Sequence, residues 1–385
     1  MPRIYLDNAA TSFPKPEAVY AAIDRYNREL GVPLGRGAYA QAIEVQSVVQ
    51  RCRKRAAELF AAESPERIVF TFNCTDSLNL ALQGLLRPGN HVVTSVVEHN
   101  SVLRPLRELQ TRAAVQVTYV DCDDTGRVEP AAIRAALRPE TALIVLLHAS
   151  NVTGTIQPIE AVGEIAREAR IPFLVDAAQS AGHLPIDLRR LPVDMLACAG
   201  HKGLLGPLGT GLLYLRPGIE DRLRSLRQGG TGTRSEDDSQ PESLPDKYEP
   251  GNHNVPGLVG LESGLAHLQD TGIAAMRRHE TELIDRLLEG LRALGRITTY
   301  GSSSPEHRTG VVSLNVAGFE PQVVATILDE HFGIQARAGL HCAPRLHRRL
   351  GVLELGGTLR LSVGPFTTAD DIDAALHALR EIASS

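Results

Sequence analysis

Apolar residues follow two rhythms along this chain. Between Glu17 and about Leu30, Val19, Ile23, Tyr26 and Leu30 fall at helical spacing. Val45, Val48, Val49, Cys52, Ala56 and Leu59 mark a second helix from about Ala42 to Phe60. Short apolar or β-branched runs then follow at Ile68–Phe72, His91–Ser95, Val115–Val120, Ala142–Leu147, Phe173–Val175 and Met195–Cys198. Helical patterns near 77–86, 101–112, 130–137 and 159–169 separate most of them. This alternation predicts an α/β fold, a mostly parallel sheet covered by helices. Gln228–Asn254 is rich in Gly, Ser, Asp, Glu and Pro and reads as a long functional loop. One long helical stretch then reaches about Leu294. A smaller α+β unit follows, with strands near 311–316 and 357–363 and a helix over 369–382. Thr368 and Asp371 cap that helix. The expected division is a large domain over 17–258 and a small one from 1–16 and 259–385.

Composition narrows the classes of function. The 385 residues are 43% hydrophobic and 22% charged, ordinary for a globular protein. A formal charge of −5 gives no basic field for nucleic acid or an anionic membrane. No apolar run is long enough to span a bilayer, and the first residues lack a signal-peptide pattern, so a cytoplasmic location is expected. Five cysteines, an odd number, form no Cys-x-x-Cys pair and no zinc-spaced cluster, which argues against a disulfide framework or a metal site.

Ligands of open parallel sheets sit at the carboxyl ends of strands. Here Ala142–Leu147 runs into His148-Ala149-Ser150-Asn151, and Phe173–Val175 into Asp176-Ala177-Ala178-Gln179. Met195–Cys198 runs into Gly200-His201-Lys202-Gly203. Singly, Asp176 is an ordinary turn cap and Lys202 an ordinary loop lysine. In successive units they suit a pyridoxal-phosphate (PLP) site, with Asp176 protonating the pyridine nitrogen and Lys202 making the covalent link. A helix after Ile68–Phe72, opening at Asn73-Cys74-Thr75-Asp76, offers Thr75, Cys74 and backbone N–H groups to the phosphate. His99 stands where it could lie on the ring.

Several segments together resemble the class V aminotransferase superfamily: Tyr5-Leu6-Asp7-Asn8-Ala9-Ala10-Thr11, Glu98-His99-Asn100-Ser101, Ser150-Asn151-Val152-Thr153-Gly154, Asp176-Ala177-Ala178-Gln179 and Gly200-His201-Lys202. Arg337-Ala338-Gly339-Leu340-His341-Cys342-Ala343-Pro344 narrows the resemblance to the cysteine desulfurases, and to the group that includes selenocysteine lyases. The match runs from Tyr5 to about Ile382. It implies an aspartate-aminotransferase-type fold with a seven-stranded sheet, and a homodimer with its sites at the interface. It also implies that His99 stacks on the ring, Asp176 meets the pyridine nitrogen and Gln179 the phenolic oxygen, while Thr75 and His201 bind phosphate. Asn151, Arg337 and Arg360 would handle the substrate, with Arg360 as carboxylate clamp. The alternation in Gly357–Val363 agrees, because Thr358, Arg360 and Ser362 share one face, and a guanidinium suits a carboxylate.

Cys342 decides between activities. Cys52 and Cys198 read as buried hydrophobes, and Cys122 falls in a polar turn. Cys342 lies in a Gly/Pro loop, where Arg337 and His341 as basic neighbours would raise its thiolate fraction. The expected reaction converts L-cysteine to L-alanine, leaves a persulfide on Cys342 and passes the sulfur to an acceptor protein or thiol. L-selenocysteine is a second candidate substrate. Two positions depart from the family pattern: Ala199 replaces a hydroxyl residue, and Asn252 stands where a threonine would reach the partner's phosphate. The alternatives are another class V PLP enzyme, such as an aminotransferase, epimerase or lyase in which Cys342 is a bystander, and a catalytically idle sulfur-relay partner. The basic run Arg345-Leu346-His347-Arg348-Arg349 reads as a solvated helix face, or less simply as a contact for an acidic acceptor.

Overall fold

The computed structural model describes residues 3–35, 37–233 and 236–384. Among them, thirteen strands form three sheets. In chain order they are β1 (Ile4–Tyr5), β2 (Ile68–Thr71), β3 (His91–Ser95), β4 (Gln116–Val120), β5 (Thr141–Leu147), β6 (Phe173–Asp176) and β7 (Met195–Ala199). They continue with β8 (Gly211–Leu215), β9 (Ile297–Tyr300), β10 (Val311–Val316), β11 (Ile334–Gln335), β12 (Arg337–Gly339) and β13 (Thr358–Ser362). The large sheet has seven strands in the order β2-β8-β7-β6-β5-β3-β4. Pairings among β3 to β7 are parallel, whereas β8 runs antiparallel to both β2 and β7. Strands buried on both faces are continuous apolar runs such as Leu-Ile-Val-Leu-Leu in β5.

Every strand run read from the sequence is present within a residue or two; β1, β9, β11 and β12 are additions outside the large sheet, and β8 is the addition within it. Gly-Leu-Leu-Tyr-Leu has no period of its own, so spacing cannot separate a buried strand from a buried helix there. Its direction matters for the site. Because β8 is antiparallel, its first residue, Gly211, lies at the same edge as the carboxyl ends of β6 and β7 and of β2 beyond it. A Cβ on Gly211 would come within 2.5 Å of the Asn73 backbone, so the close approach requires glycine.

A second sheet, β12-β13-β10-β9, is antiparallel and packs its own core of Leu314, Leu359, Leu361, Ile372, Leu379 and neighbours. Leu6, from the chain start, belongs to this core. The expected single helix to Leu294 is two, Val255–Thr271 and Ile273–Arg292, separated at Gly272, whose φ of 81° few other residues adopt. The first of these packs Val259, Leu261, Leu265 and Leu268 into the large core, which therefore runs past residue 258. The final helix is capped as expected: Asp371 N–H donates to Thr368 Oγ1 at 3.2 Å, and Thr368 N–H to the Asp371 carboxylate at 2.8 Å. Cys122 differs from its reading as a polar-turn residue. It is buried, and burial pushes its thiol up to about 11.

Candidate active site

Parallel register sets the strand ends side by side. Leu147 pairs with Asp176, and Asp176 with Ala197, so the residues following β5, β6 and β7 open into one pocket. That pocket, partly open to solvent, is lined by residues including Thr75, His99, Asn151, Asp176, Gln179 and Lys202. Cys74 and His201 also line it. Eight residues singled out in sequence, from five separate segments, thus converge.

Asp176 is held by its own turn. Its Oδ1 accepts the Ala178 N–H at 2.9 Å and the Cys74 thiol at 3.4 Å, leaving Oδ2 for a further donor. Cys74 therefore acts on the carboxylate rather than through its backbone alone. Burial first, and Asp176 second, push its thiol pKa well up, so it remains a neutral donor. Lys202 faces the open pocket while its amine is surrounded by protein. Burial lowers its pKa, and Asp176 opposes that shift as the nearby negative charge. The loop beyond it is pinned where Gly182 meets Gly203, since a Cβ on Gly182 would lie 2.1 Å from the Gly203 oxygen.

His99 caps the helix Asn100–Ala113, its Nδ1 accepting the Ser101 N–H at 3.0 Å. That bond places the ring proton on Nε2. Burial lowers its pKa to about 4, with Asp176 opposing, so the ring is neutral at physiological pH. Ser101 also links it to Thr75, with an oxygen–oxygen distance of 2.7 Å. Gln179 donates one amide N–H to the Ala9 carbonyl at 2.9 Å and keeps a second for the pocket. His201 leaves Nδ1 buried without a partner, and burial first, then the charges of Lys202 and Lys15, bring its pKa to about 4.

The two arginines expected to handle the substrate come from the second sheet. Arg337 and Arg360 are directly opposite in register on β12 and β13. Arg360 is buried, donating Nη1 to the Asn151 carbonyl at 3.1 Å and Nη2 to Asp7 Oδ1 at 2.6 Å, with Nε unpartnered. With only Arg360 paired to Asp7 and Arg337 opposite it in register, donors and charge remain for another anion. Replacing Arg360 by lysine keeps the charge but loses the planar fork. The expected result is a KM for the amino-acid substrate raised about 10- to 100-fold, about 1.4–2.8 kcal/mol, with a smaller change in kcat. Steady-state kinetics check it.

Cys342 is exposed, on a loop tied to the pocket at Cys342 itself and at the preceding His341. Its carbonyl accepts the Asn100 N–H at 2.7 Å, beside His99, and Asn151 Nδ2 donates to the His341 carbonyl. His341 and Cys342 both adopt left-handed backbone, at φ 44° and 58°. Such conformations cost about 1–2 kcal/mol per residue outside glycine, and these two bonds hold them. His341 is not the charged neighbour expected of it. Its Nε2 donates to the Thr358 carbonyl at 3.0 Å, and burial pushes its pKa far down, so the ring stays neutral. Asn252 is exposed in a separate groove beside Phe72, Arg227 and His253, and its own chain does not bring it to the pocket.

Three contributors escaped the sequence reading. Ser101 joins His99 to Thr75; it stood within a recognised block, but its role needs the fold. Glu98 is buried, accepts from Ser95 Oγ at 2.6 Å and Leu147 N–H, and burial raises its pKa to about 8. Lys15 donates to Ser12 Oγ at 2.6 Å and to the His201 carbonyl at 2.7 Å, and burial draws its amine down to about 7. An early lysine followed by proline carries no periodic signal of burial.

A sheet of this order, with these residues at its strand ends, defines a class of enzyme scaffold. The chain belongs to the class V aminotransferase family, whose model matches residues 4–375. It is 37% identical over 384 residues to a probable cysteine desulfurase of Methanothermobacter thermautotrophicus, covering 99% of this chain and 94% of that one. It is 34% identical to the cysteine desulfurase IscS of Methanosarcina thermophila, covering 98% and 91%. Among solved structures, the apo cysteine desulfurase of Thermococcus onnurineus superposes with a TM-score of 0.93 at 33% identity, covering 99% of this chain and 95% of that one.

Proposed function

We propose that this chain is a PLP-dependent cysteine desulfurase that converts L-cysteine to L-alanine and keeps the sulfur as a persulfide on Cys342. The carrying observation is the tether of the Cys342 loop to the pocket rim through Asn100 and Asn151. The pocket fits the cofactor on its own chemistry. Asp176 Oδ2 is free to accept a pyridinium N–H, neutral His99 offers a ring face, and His201 Nδ1 is an orphaned buried polar atom. Thr75, His201 and backbone N–H groups of helix Cys74–Leu85 would hold the phosphate, without help from Ala199.

When bound, PLP supplies an electron sink that makes the Cα proton of an amino acid labile. Arg360, with Arg337 opposite it, holds the substrate carboxylate. Lys202, its pKa lowered by burial, takes the Cα proton and later returns it. The Cys342 thiolate attacks the substrate sulfur, the Cβ–S bond breaks, and the sulfur stays on Cys342. L-Selenocysteine presents the same carboxylate and a weaker Cβ–Se bond, so the same site would take it. In the homodimer this reading includes, Asn252 would serve the partner's phosphate, because its own pocket lies elsewhere. A reducing compartment such as the cytoplasm suits five free thiols. PLP-loaded protein given L-cysteine and a reductant should form alanine and sulfide in equal amounts. Amino transfer to a keto acid with no sulfide would favour the aminotransferase reading instead.

A further inference from the structure

The surface beside Cys342 is basic, although the chain carries a formal charge of −5. The bond from Asn100 N–H to the Cys342 carbonyl seats the loop on the first turn of helix Asn100–Ala113. Asn100, Arg104 and Arg107 share one face of that helix by their spacing, and both arginines are exposed. Past Cys342 the chain enters helix Pro344–Arg349, where the Arg345 guanidinium lies 3.6 Å from the centroid of the Tyr119 ring and Arg348 is exposed. Arg107 and Arg345 both lower the Tyr119 hydroxyl pKa against the larger effect of its burial, which places both helices' cations around one ring. Among the described residues, no carboxylate comes within ion-pair reach of Arg104, Arg107, Arg345 or Arg348. The acids at this edge are engaged elsewhere: Asp121 and Asp124 each hold Arg349 at 3.1 Å, and Glu108 holds Arg112 at 3.2 Å. The basic run after Cys342 is thus partly consumed, with His347 buried and Arg349 paired. The uncompensated cations are those that begin at the nucleophile.

We propose that this basic apron docks an acidic carrier protein, which presents a cysteine to the Cys342 persulfide; the inference rests on the desulfurase reading. The cations Arg104 and Arg107 reach out to about 10 Å along the helix from Asn100, where Cys342 is seated, and Arg345 and Arg348 on a second helix widen the field. A protein surface spans that field, and a small thiol does not. In the transfer, the carrier's thiolate attacks the outer sulfur of the persulfide. The sulfur–sulfur bond breaks, Cys342 leaves as a thiolate, and the carrier holds the persulfide. Neither partner needs an external oxidant or reductant.

The test uses PLP-loaded enzyme charged with L-cysteine and three synthetic peptides carrying one cysteine each, flanked over several helical turns by glutamates, serines or lysines. Dithiothreitol and a small dianionic thiol serve as further acceptors. Each discharge rate is divided by the same acceptor's rate with the Arg104→Glu/Arg107→Glu variant. At low salt the glutamate peptide should show a ratio at least about tenfold above that of the lysine peptide, falling towards one as salt screens the field. Alanine formation and discharge by dithiothreitol should be the same in both proteins. Equal ratios for the glutamate and lysine peptides would overturn the proposal. So would a dianionic small thiol whose ratio matches the glutamate peptide's. Mass spectrometry of Cys342 before any acceptor is added separates the two readings. With the persulfide present, a negative result counts against the docking surface alone; without it, both fall.

Discussion

Replacing Lys202 by alanine is expected to slow alanine formation from L-cysteine by about four orders of magnitude or more. Loss of a positioned proton-transfer group costs roughly 10²–10⁴ in rate, and the same substitution removes the covalent tether that sets the cofactor's place. The pocket explains why no neighbour substitutes. Lys15 is the other lysine whose amine burial draws down, but it is committed to Ser12 Oγ and the His201 carbonyl. His99 has its Nδ1 occupied by the Ser101 N–H. Lys202→Arg should fail equally, because a guanidinium stays protonated and cannot act as base. Asp176 and Thr75 are untouched in both variants, so cofactor should still enter but pass off the protein during gel filtration. Single-turnover assay of alanine, with the absorbance of the desalted protein, measures both effects. Turnover within tenfold of the parent would remove Lys202 from the chemistry.

Changing Cys342 to serine should lower sulfide release in the presence of reductant by at least about 100-fold, while the desalted protein keeps its cofactor absorbance. A hydroxyl is nearly the same size, so the loop bonds from Asn100 and Asn151 should survive. What disappears is the polarizable, readily ionised sulfur nucleophile. With L-selenocysteine the loss should be smaller, since the carbon–selenium bond is weaker and its leaving atom more acidic. A variant that releases sulfide at the parental rate would make Cys342 a bystander. Serine also tests the backbone: it must accept the left-handed φ of 58° that Cys342 adopts. A change in thermal midpoint, read alongside turnover, separates a disturbed loop from a missing nucleophile.

Much of this was open to a reader of the residues alone. β5, β6 and β7 announce themselves as apolar runs of strand length, and the end of each delivers polar residues that line the pocket. Chemistry at a strand terminus needs only local order to be recognised, so Asp176, Lys202 and His99 stand out. The alternation at Thr358–Ser362 likewise puts Arg360 on a defined face, since side-chain period in a strand is a local property.

Other features depended on residues distant in sequence meeting in space. β8 reads as strand or helix with equal ease, and its antiparallel direction comes from the neighbours it pairs with. The charge state expected of His341 was reversed, because burial and the Thr358 carbonyl, not sequence proximity to Cys342, govern the ring. The seating of Cys342 on Asn100, the pairing of Arg360 with Asp7 and the bond from Cys74 to Asp176 join positions more than 100 residues apart. Residue type and local spacing determined which groups exist and on which elements they ride. Only the folded packing decided their partners, because desolvation and hydrogen bonding act through space at a few ångströms and take no account of distance along the chain.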